Sequence, residues 1–303
     1  MTSPHTYLDI RFSNLHTQLA GTLSYPHTTG PFSAIIMLHG SGPSDRTNGG
    51  YFPPIQQFFL SQGFAVLCYD KPGVGQSTGD WKKQSFEDRA QEALAAIKFL
   101  QDNPKINSDK IGLWGHSQGA WIVFLAAAMS NDIAFVIANS GSGVSPYEQD
   151  QFGIEQTSRA EGEPESEIEQ ALMQYKALVK ATHQNESYEE IARLLNNMSS
   201  DLLQRYLNLD QESWKFWKQV VDYDPIPAFQ NTKCSVLALF GGQDLLVPVE
   251  ESMAIYEQEL INAATVDIFL FPEGKHRITD EDTGSTGPGY FETIGNWLKK
   301  MNG

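Results

Sequence analysis

Along residues 7 to 25 apolar and polar side chains alternate, with Leu8, Ile10 and Phe12 on one face and Leu15, Thr17, Leu19, Gly21 and Leu23 following a turn expected at Ser13-Asn14. A period of two is that of a half-buried strand, so this stretch predicts an antiparallel β-hairpin. Apolar runs of strand length follow at 34 to 38, 64 to 69, 111 to 114 and 133 to 138, each set apart by a helix-sized segment. The clearest of those helices opens at Ser85-Phe-Glu-Asp88, a capping-box pattern, and carries Phe86, Ala90, Ala93, Leu94, Ile97 and Leu100 on one stripe. Strand alternating with helix predicts a parallel sheet covered on both faces.

The alternation stops near Ser145 and resumes near Asn231. Between them the pattern is helical. Pro164 opens a helix with Ile168, Leu172, Tyr175 and Val179 on one face, and Ser187 with Glu190 caps another that leads into Ile191 and Leu194. Strand patterns return at 236 to 240 and 265 to 270, with helices expected from Val249 to Ile261 and from Tyr290 to Met301. Residues 1–144 and 231–303 therefore form one α/β core domain in this reading, and residues 145–230 form an inserted helical cap.

Composition narrows the function classes. With 21 basic against 37 acidic side chains the net charge is −16, so the phosphate-neutralising surface that nucleic-acid binding needs is missing. Residues 145–230 hold seven basic and sixteen acidic side chains, a charge of −9, so over half of the excess lies in the insertion. The longest apolar stretch, Gly119 to Met129, is shorter than the ~18 residues of a membrane span. Cys68 and Cys234 are too few for a disulfide framework and match no zinc-ligand spacing, so they read as buried thiols. No secretory pattern is visible in the first residues, and a cytoplasmic location is expected.

The chemistry centres on Gly115-His116-Ser117-Gln118-Gly119, placed between the strand at 111 to 114 and an apolar helix. G-x-S-x-G in that context is the nucleophile elbow, a tight strand-to-helix turn that lifts the serine hydroxyl from the sheet edge. Serine needs a base, and the base needs an orienting carboxylate. His276, in the loop after the strand 265 to 270, is the expected base. Asp244, after the strand 236 to 240, is the expected acid, 32 residues earlier and one αβ step away. Glu273 and Asp280 flank the histidine and read as solvated loop charges. An oxyanion hole needs one backbone N–H after the nucleophile and another from the first long βα loop. Gln118 supplies the first, and Ser41, in His39-Gly40-Ser41-Gly42-Pro43, the second. Gly73-Val-Gly75 reads as a bare loop rather than a dinucleotide fingerprint, because no helix follows it directly. The cluster Trp214, Phe216 and Trp217 reads mainly as packing within the insertion.

These residues together resemble the α/β-hydrolase superfamily over nearly the whole chain. Within it, LHGSGPSDR (38 to 46), YDKPGVGQSTGDW (69 to 81) and GLWGHSQGA (112 to 120) are similar to a group of bacterial serine carboxylesterases, although Pro72 stands where members of that group often have Arg. The resemblance implies an α/β-hydrolase fold, a mostly parallel central sheet flanked by helices with a helical lid, and a carboxylesterase acting through Ser117, Asp244 and His276. It implies no metal or organic cofactor and a small-molecule ester substrate. The rival within the superfamily is an aminopeptidase whose substrate amine meets carboxylates of the insertion, Glu161, Glu163, Glu165, Glu167 and Glu169 being the candidates. A thioesterase for coenzyme A esters lacks a basic cluster for the phosphates.

Overall fold

A computed structural model describes residues 5–196, 202–207, 210–278 and 286–302 of the chain. The first strands are β1 (Thr6–Asn14), β2 (Thr17–Tyr25) and β3 (Phe32–Leu38). Helix α1 (Phe52–Ser61) leads to β4 (Ala65–Tyr69), and α2 (Phe86–Gln101) to β5 (Ile106–His116). Next come α3 (Gln118–Met129) and β6 (Phe135–Asn139). The insertion supplies α4 (Pro146–Ala160), α5 (Glu165–His183), α6 (Tyr188–Asn196), α7 (Leu202–Leu207), α8 (Gln211–Val220) and α9 (Ile226–Asn231). The chain closes with β7 (Ser235–Gly241), α10 (Val249–Glu259), β8 (Val266–Phe271) and α11 (Tyr290–Asn302).

The eight strands form one sheet in the order β1-β2-β4-β3-β5-β6-β7-β8. β2 runs antiparallel to β1 and β4, and the remaining pairs are parallel. The central strands are apolar on both faces, so successive residues enter opposite layers. Ala34, Ile36 and Leu38 of β3 pack with α2, α3, α9 and α10, while Ile35 and Met37 pack with α1 and α11. A third apolar cluster, with Ile168, Tyr175, Leu178, Ile191 and Trp217, is built from α4 to α8. α9 packs differently: Phe229 meets Phe124 of α3 at 4.8 Å between ring centroids.

The hairpin forms, but its turn lies at Leu15-His16 rather than at Ser13-Asn14. Leu15 takes a positive φ of 51° and is 85% exposed, so an apolar side chain occupies the turn, and β1 runs two residues further while β2 starts two residues later than the polar pair Ser13-Asn14 suggests. β5 begins at Ile106 rather than Ile111, because the polar stretch between them is bulged: Phe32 pairs Ile106, yet Ala34 already pairs Ile111. Ser85 caps α2 by accepting from Asp88 N–H while the Asp88 carboxylate accepts from Ser85 N–H, as the pattern predicts. Cys68 and Cys234 are free thiols, and burial pushes each up to about 12. Among the described residues no helix is long and apolar enough to cross a membrane.

Candidate active site

Ser117 sits where β5 ends and α3 begins, with φ 54° and ψ −124°, a strained backbone for a residue with a Cβ. Its N–H donates to Asn139 O at 2.9 Å and its C=O accepts from Ala120 N–H at 2.8 Å, so both sides of the turn are fastened. Gly119 is required two residues on, since a Cβ there would stand 2.6 Å from Leu38 O and 2.7 Å from His39 O. The elbow thus lies directly on the loop that follows β3. The N–H of Gln118 belongs to the first turn of α3 and has no acceptor within the helix.

Asp244 and His276 end up side by side because β7 and β8 are parallel neighbours and both residues lie in the loops beyond their C-terminal ends. His276 Nδ1–H donates to Asp244 Oδ2 at 2.8 Å. Asp244 Oδ1 accepts from Leu246 N–H at 2.8 Å and from Val247 N–H at 3.1 Å, and the carboxylate is fully covered. Glu273 instead accepts from Gln243 Nε2 at 2.8 Å on the surface. Asp280 lies outside the described residues. Beneath His276, the His116 ring stands 5.0 Å away between centroids. Burial, His276 and Arg277 together hold His116 well below the ordinary imidazole range, so it adds no second cation. Tyr290 Oη donates to Asn139 Oδ1 at 2.7 Å, and Asn139 Nδ2 donates to His116 Nδ1 at 3.3 Å. Tyr51 Oη donates to Arg277 O at 2.9 Å, which ties the histidine loop down.

Ser117, His276, Gln118, Gly40 and Ser41 all line one cavity of about 510 Å³. Aromatic side chains extend its wall, Trp81, Phe86 and Trp121 from the core and Phe216 and Trp217 from α8, beside polar ones that include Asn48, Gln149 and Arg277. Two members of the aromatic cluster read mainly as packing therefore line the cavity, while Trp214 packs against Tyr188 and Thr182. Gly73 and Gly75 belong to a loop in which Gln76 N–H donates to Asp70 Oδ2 at 2.9 Å, consistent with a bare structural turn.

Glu161 and Glu163 pair with Arg205, and Glu165 pairs with Arg159. Among the described residues, the carboxylate of the 145–230 segment that lines the cavity is Asp150. Asp150 Oδ2 accepts from Tyr175 Oη at 2.9 Å and from Trp217 Nε1 at 3.1 Å. Burial pushes its carboxyl up to about 6 against the opposing pull of those two donors. A single acid on a weakly amphipathic helix carries no sequence signal. The three buried charges behind the first βα loop, Lys71, Arg89 and Glu92, are not evident from the sequence pattern either. Arg89 and Glu92 flank the apolar stripe of α2, where a charged residue reads as solvent-facing.

Residues 13–275 match the family described as X-Pro dipeptidyl-peptidase (S15 family). Esterase EstD of Thermotoga maritima is 23% identical over 282 residues, which is 90% of this chain and 61% of that protein, so the chain spans about three fifths of that relative's length. The mitochondrial palmitoyl-protein thioesterase ABHD10 of Bos taurus is 23% identical over 259 residues, 86% of this chain and 72% of that one. Among solved structures, the esterase Pf2001 of Pyrococcus furiosus superposes with a TM-score of 0.66 at 20% identity, covering 98% of this chain and 92% of that one.

Proposed function

Because the chain belongs to the X-Pro dipeptidyl-peptidase (S15) family and has the α/β-hydrolase fold, we propose that it is a serine hydrolase that cleaves carboxylic esters of small to medium, mainly neutral substrates through an acyl-enzyme. The observation that carries this reading is the 2.8 Å bond from His276 to a fully covered Asp244, beside the cavity that His276 shares with Ser117 on its strained turn. Ser117 Oγ attacks the ester carbonyl while His276 Nε2 takes its proton. Asp244, held by two main-chain donors, keeps the proton of the free imidazole on Nδ1 and stabilises the cation that forms. The N–H groups of Ser41 and Gln118 receive the oxyanion. His276 then returns its proton to the leaving alcohol, and water activated by the same imidazole releases the acid.

In this reading residues 145–230 act as a lid over the site, with Phe216, Trp217 and Asp150 facing the acyl or alcohol group and α9 anchoring the end of the lid to the core through Phe229. The aromatic walls favour substrates whose bulk is apolar. The test is a panel of nitrophenyl esters, with Ser117→Ala and fluorophosphonate labelling as controls. Turnover and labelling that both vanish in the variant support the assignment; turnover that survives overturns it.

Asp150 favours a second reading, in which the substrate carries an amine, as an aminoacyl ester or a short peptide does. A carboxylate that lines the cavity together with Trp217 and Phe216 is a suitable receptor for ammonium by its charge. Aminoacyl nitroanilides run beside the esters separate the two: faster cleavage of the anilides overturns the esterase reading in favour of a peptidase.

A further inference from the structure

The peptide unit that joins Gly40 to Ser41 is trans, so its C=O and its N–H point in opposite directions along one rigid plane. The carbonyl end meets Lys71. Nζ of Lys71 donates to Gly40 O at 2.5 Å and to Gly42 O at 2.6 Å, and it lies 5.5 Å from the centroid of the Trp81 ring. The main-chain N–H of Lys71 donates to Ser44 O at 3.1 Å, so a single residue fastens three carbonyls of the loop. The opposite side of the loop borders the cavity. A Cβ on Gly40 would stand 3.3 Å from the Ser117 Cβ, and Ser41 lines the same cavity as Ser117.

From this geometry we infer that Lys71 is a positioning residue for the oxyanion: by holding Gly40 O it fixes the direction of the Ser41 N–H and polarises it as a donor. This inference rests on the esterase reading. Lys71 does not touch substrate. Its Nζ acts through one amide group, because a donor on an amide oxygen draws electron density from the nitrogen and strengthens the N–H at the other end. Arg89 reinforces the arrangement, its Nη2 donating to His39 O at 3.0 Å and its Nη1 to Gln118 Oε1. Glu92, pushed up to about 7 by burial, interacts electrostatically with both Arg89 and Lys71.

Lys71 is 2% exposed, and burial together with Arg89 depresses its pKa well below the ordinary lysine range. Stability gives a weak reason to keep an ammonium there, since an apolar side chain of similar volume would avoid the desolvation cost. Activity gives a stronger one, because loss of one oxyanion donor costs about 10² to 10³ in kcat.

The experiment compares Lys71→Arg, Lys71→Gln and Lys71→Met with the unaltered protein on one nitrophenyl ester, with active sites counted by the burst of nitrophenol. Lys71→Gln keeps a neutral donor and Lys71→Met keeps none. Expected are kcat losses of about tenfold for Gln and about a hundredfold for Met, with KM within about twofold and Lys71→Arg nearest to the unaltered protein. The inhibition constant of an arylboronic acid, which takes up the tetrahedral oxyanion geometry, should rise by the factor that kcat/KM falls. Should Lys71→Met fail to fold, Lys71→Gln carries the same comparison. Lower thermal stability with kcat per active site and boronate affinity unchanged overturns the inference and leaves the esterase reading standing. No turnover in the unaltered protein overturns both.

Discussion

Asp244 gives one carboxylate oxygen to His276 Nδ1 at 2.8 Å and the other to the N–H groups of Leu246 and Val247. Neither oxygen is left to water, so the carboxylate cannot turn away from the imidazole. Asp244→Asn should therefore keep the fold while placing an amide where an acceptor is needed, lowering kcat by roughly 10² to 10⁴. Glu273→Gln, at a carboxylate that accepts from Gln243 on the surface, should leave kcat within about twofold. Steady-state kinetics on both variants decide the matter, and a larger loss at Glu273 would mean that the acid has been misassigned.

Ser117 bears its side chain at φ 54°, where glycine is at ease. Ser117→Ala should lower kcat by roughly 10³ to 10⁶ and leave stability almost unchanged, since the Cβ stays. Ser117→Gly should be equally inactive yet more stable by about 1 kcal/mol, because the strain goes with the Cβ. Denaturant melts read the difference. An alanine variant as stable as the glycine variant would argue against stored strain at the elbow.

Gly119→Ala tests the contact between the elbow and the loop that follows β3. The added methyl would press on Leu38 O and His39 O, both closer than real Cβ contacts allow. Expected are a destabilisation of about 2 to 4 kcal/mol and a fall in kcat beyond what the loss of folded protein explains. Normal activity per folded molecule would show that the loop yields without moving Ser41.

Asp150 gives a pH test. Its folded carboxyl is raised to about 6 from an ordinary value near 3.8, so it is charged above that pH and takes up a proton as pH falls through it. The kcat/KM ratio of a cationic ester to a neutral ester of equal size should therefore fall as pH drops from about 7.5 to about 5. Taking the ratio cancels the shared requirement for the base. Asp150→Asn should flatten the ratio across that range, and an unchanged slope in the variant would remove Asp150 from substrate selection. The same group opposes folding once charged: stability from this source declines as pH rises between about 4 and 6, so Asp150→Asn should gain stability above pH 6.

The fold was largely legible because its strands are short apolar runs bounded by turn residues, and Ser85, Pro164 and Ser187 mark helix starts by local chemistry alone. Chain order and strand ends also single out Ser117, Asp244 and His276, and the structure sets Ser117 and His276 on one cavity with Asp244 bonded to the imidazole. Leu15 escaped because turn propensity favours Ser13-Asn14 and nothing local reveals that a leucine will take the positive φ. The bulge in β5 was hidden by polar residues that look like a loop. Lys71 and Asp150 escaped for a different reason. Each acts through partners far along the chain, Lys71 on Gly40 and Asp150 on Tyr175 and Trp217, and a single sequence carries no record of such pairings.

In the proposed mechanism the reacting groups stand in loops at the ends of β5, β7 and β8, whereas much of the cavity wall comes from α4, α7 and α8, which lie between β6 and β7 in the chain. Chemistry and choice of substrate are therefore written in separate stretches of the gene. A change at Gln149, Phe216 or Val220 alters the shape that is admitted without touching the bond from His276 to Asp244. Under the proposed esterase reading, descendants of such a chain can exchange one acyl group for another by small steps in these helices, each step retaining a working catalyst.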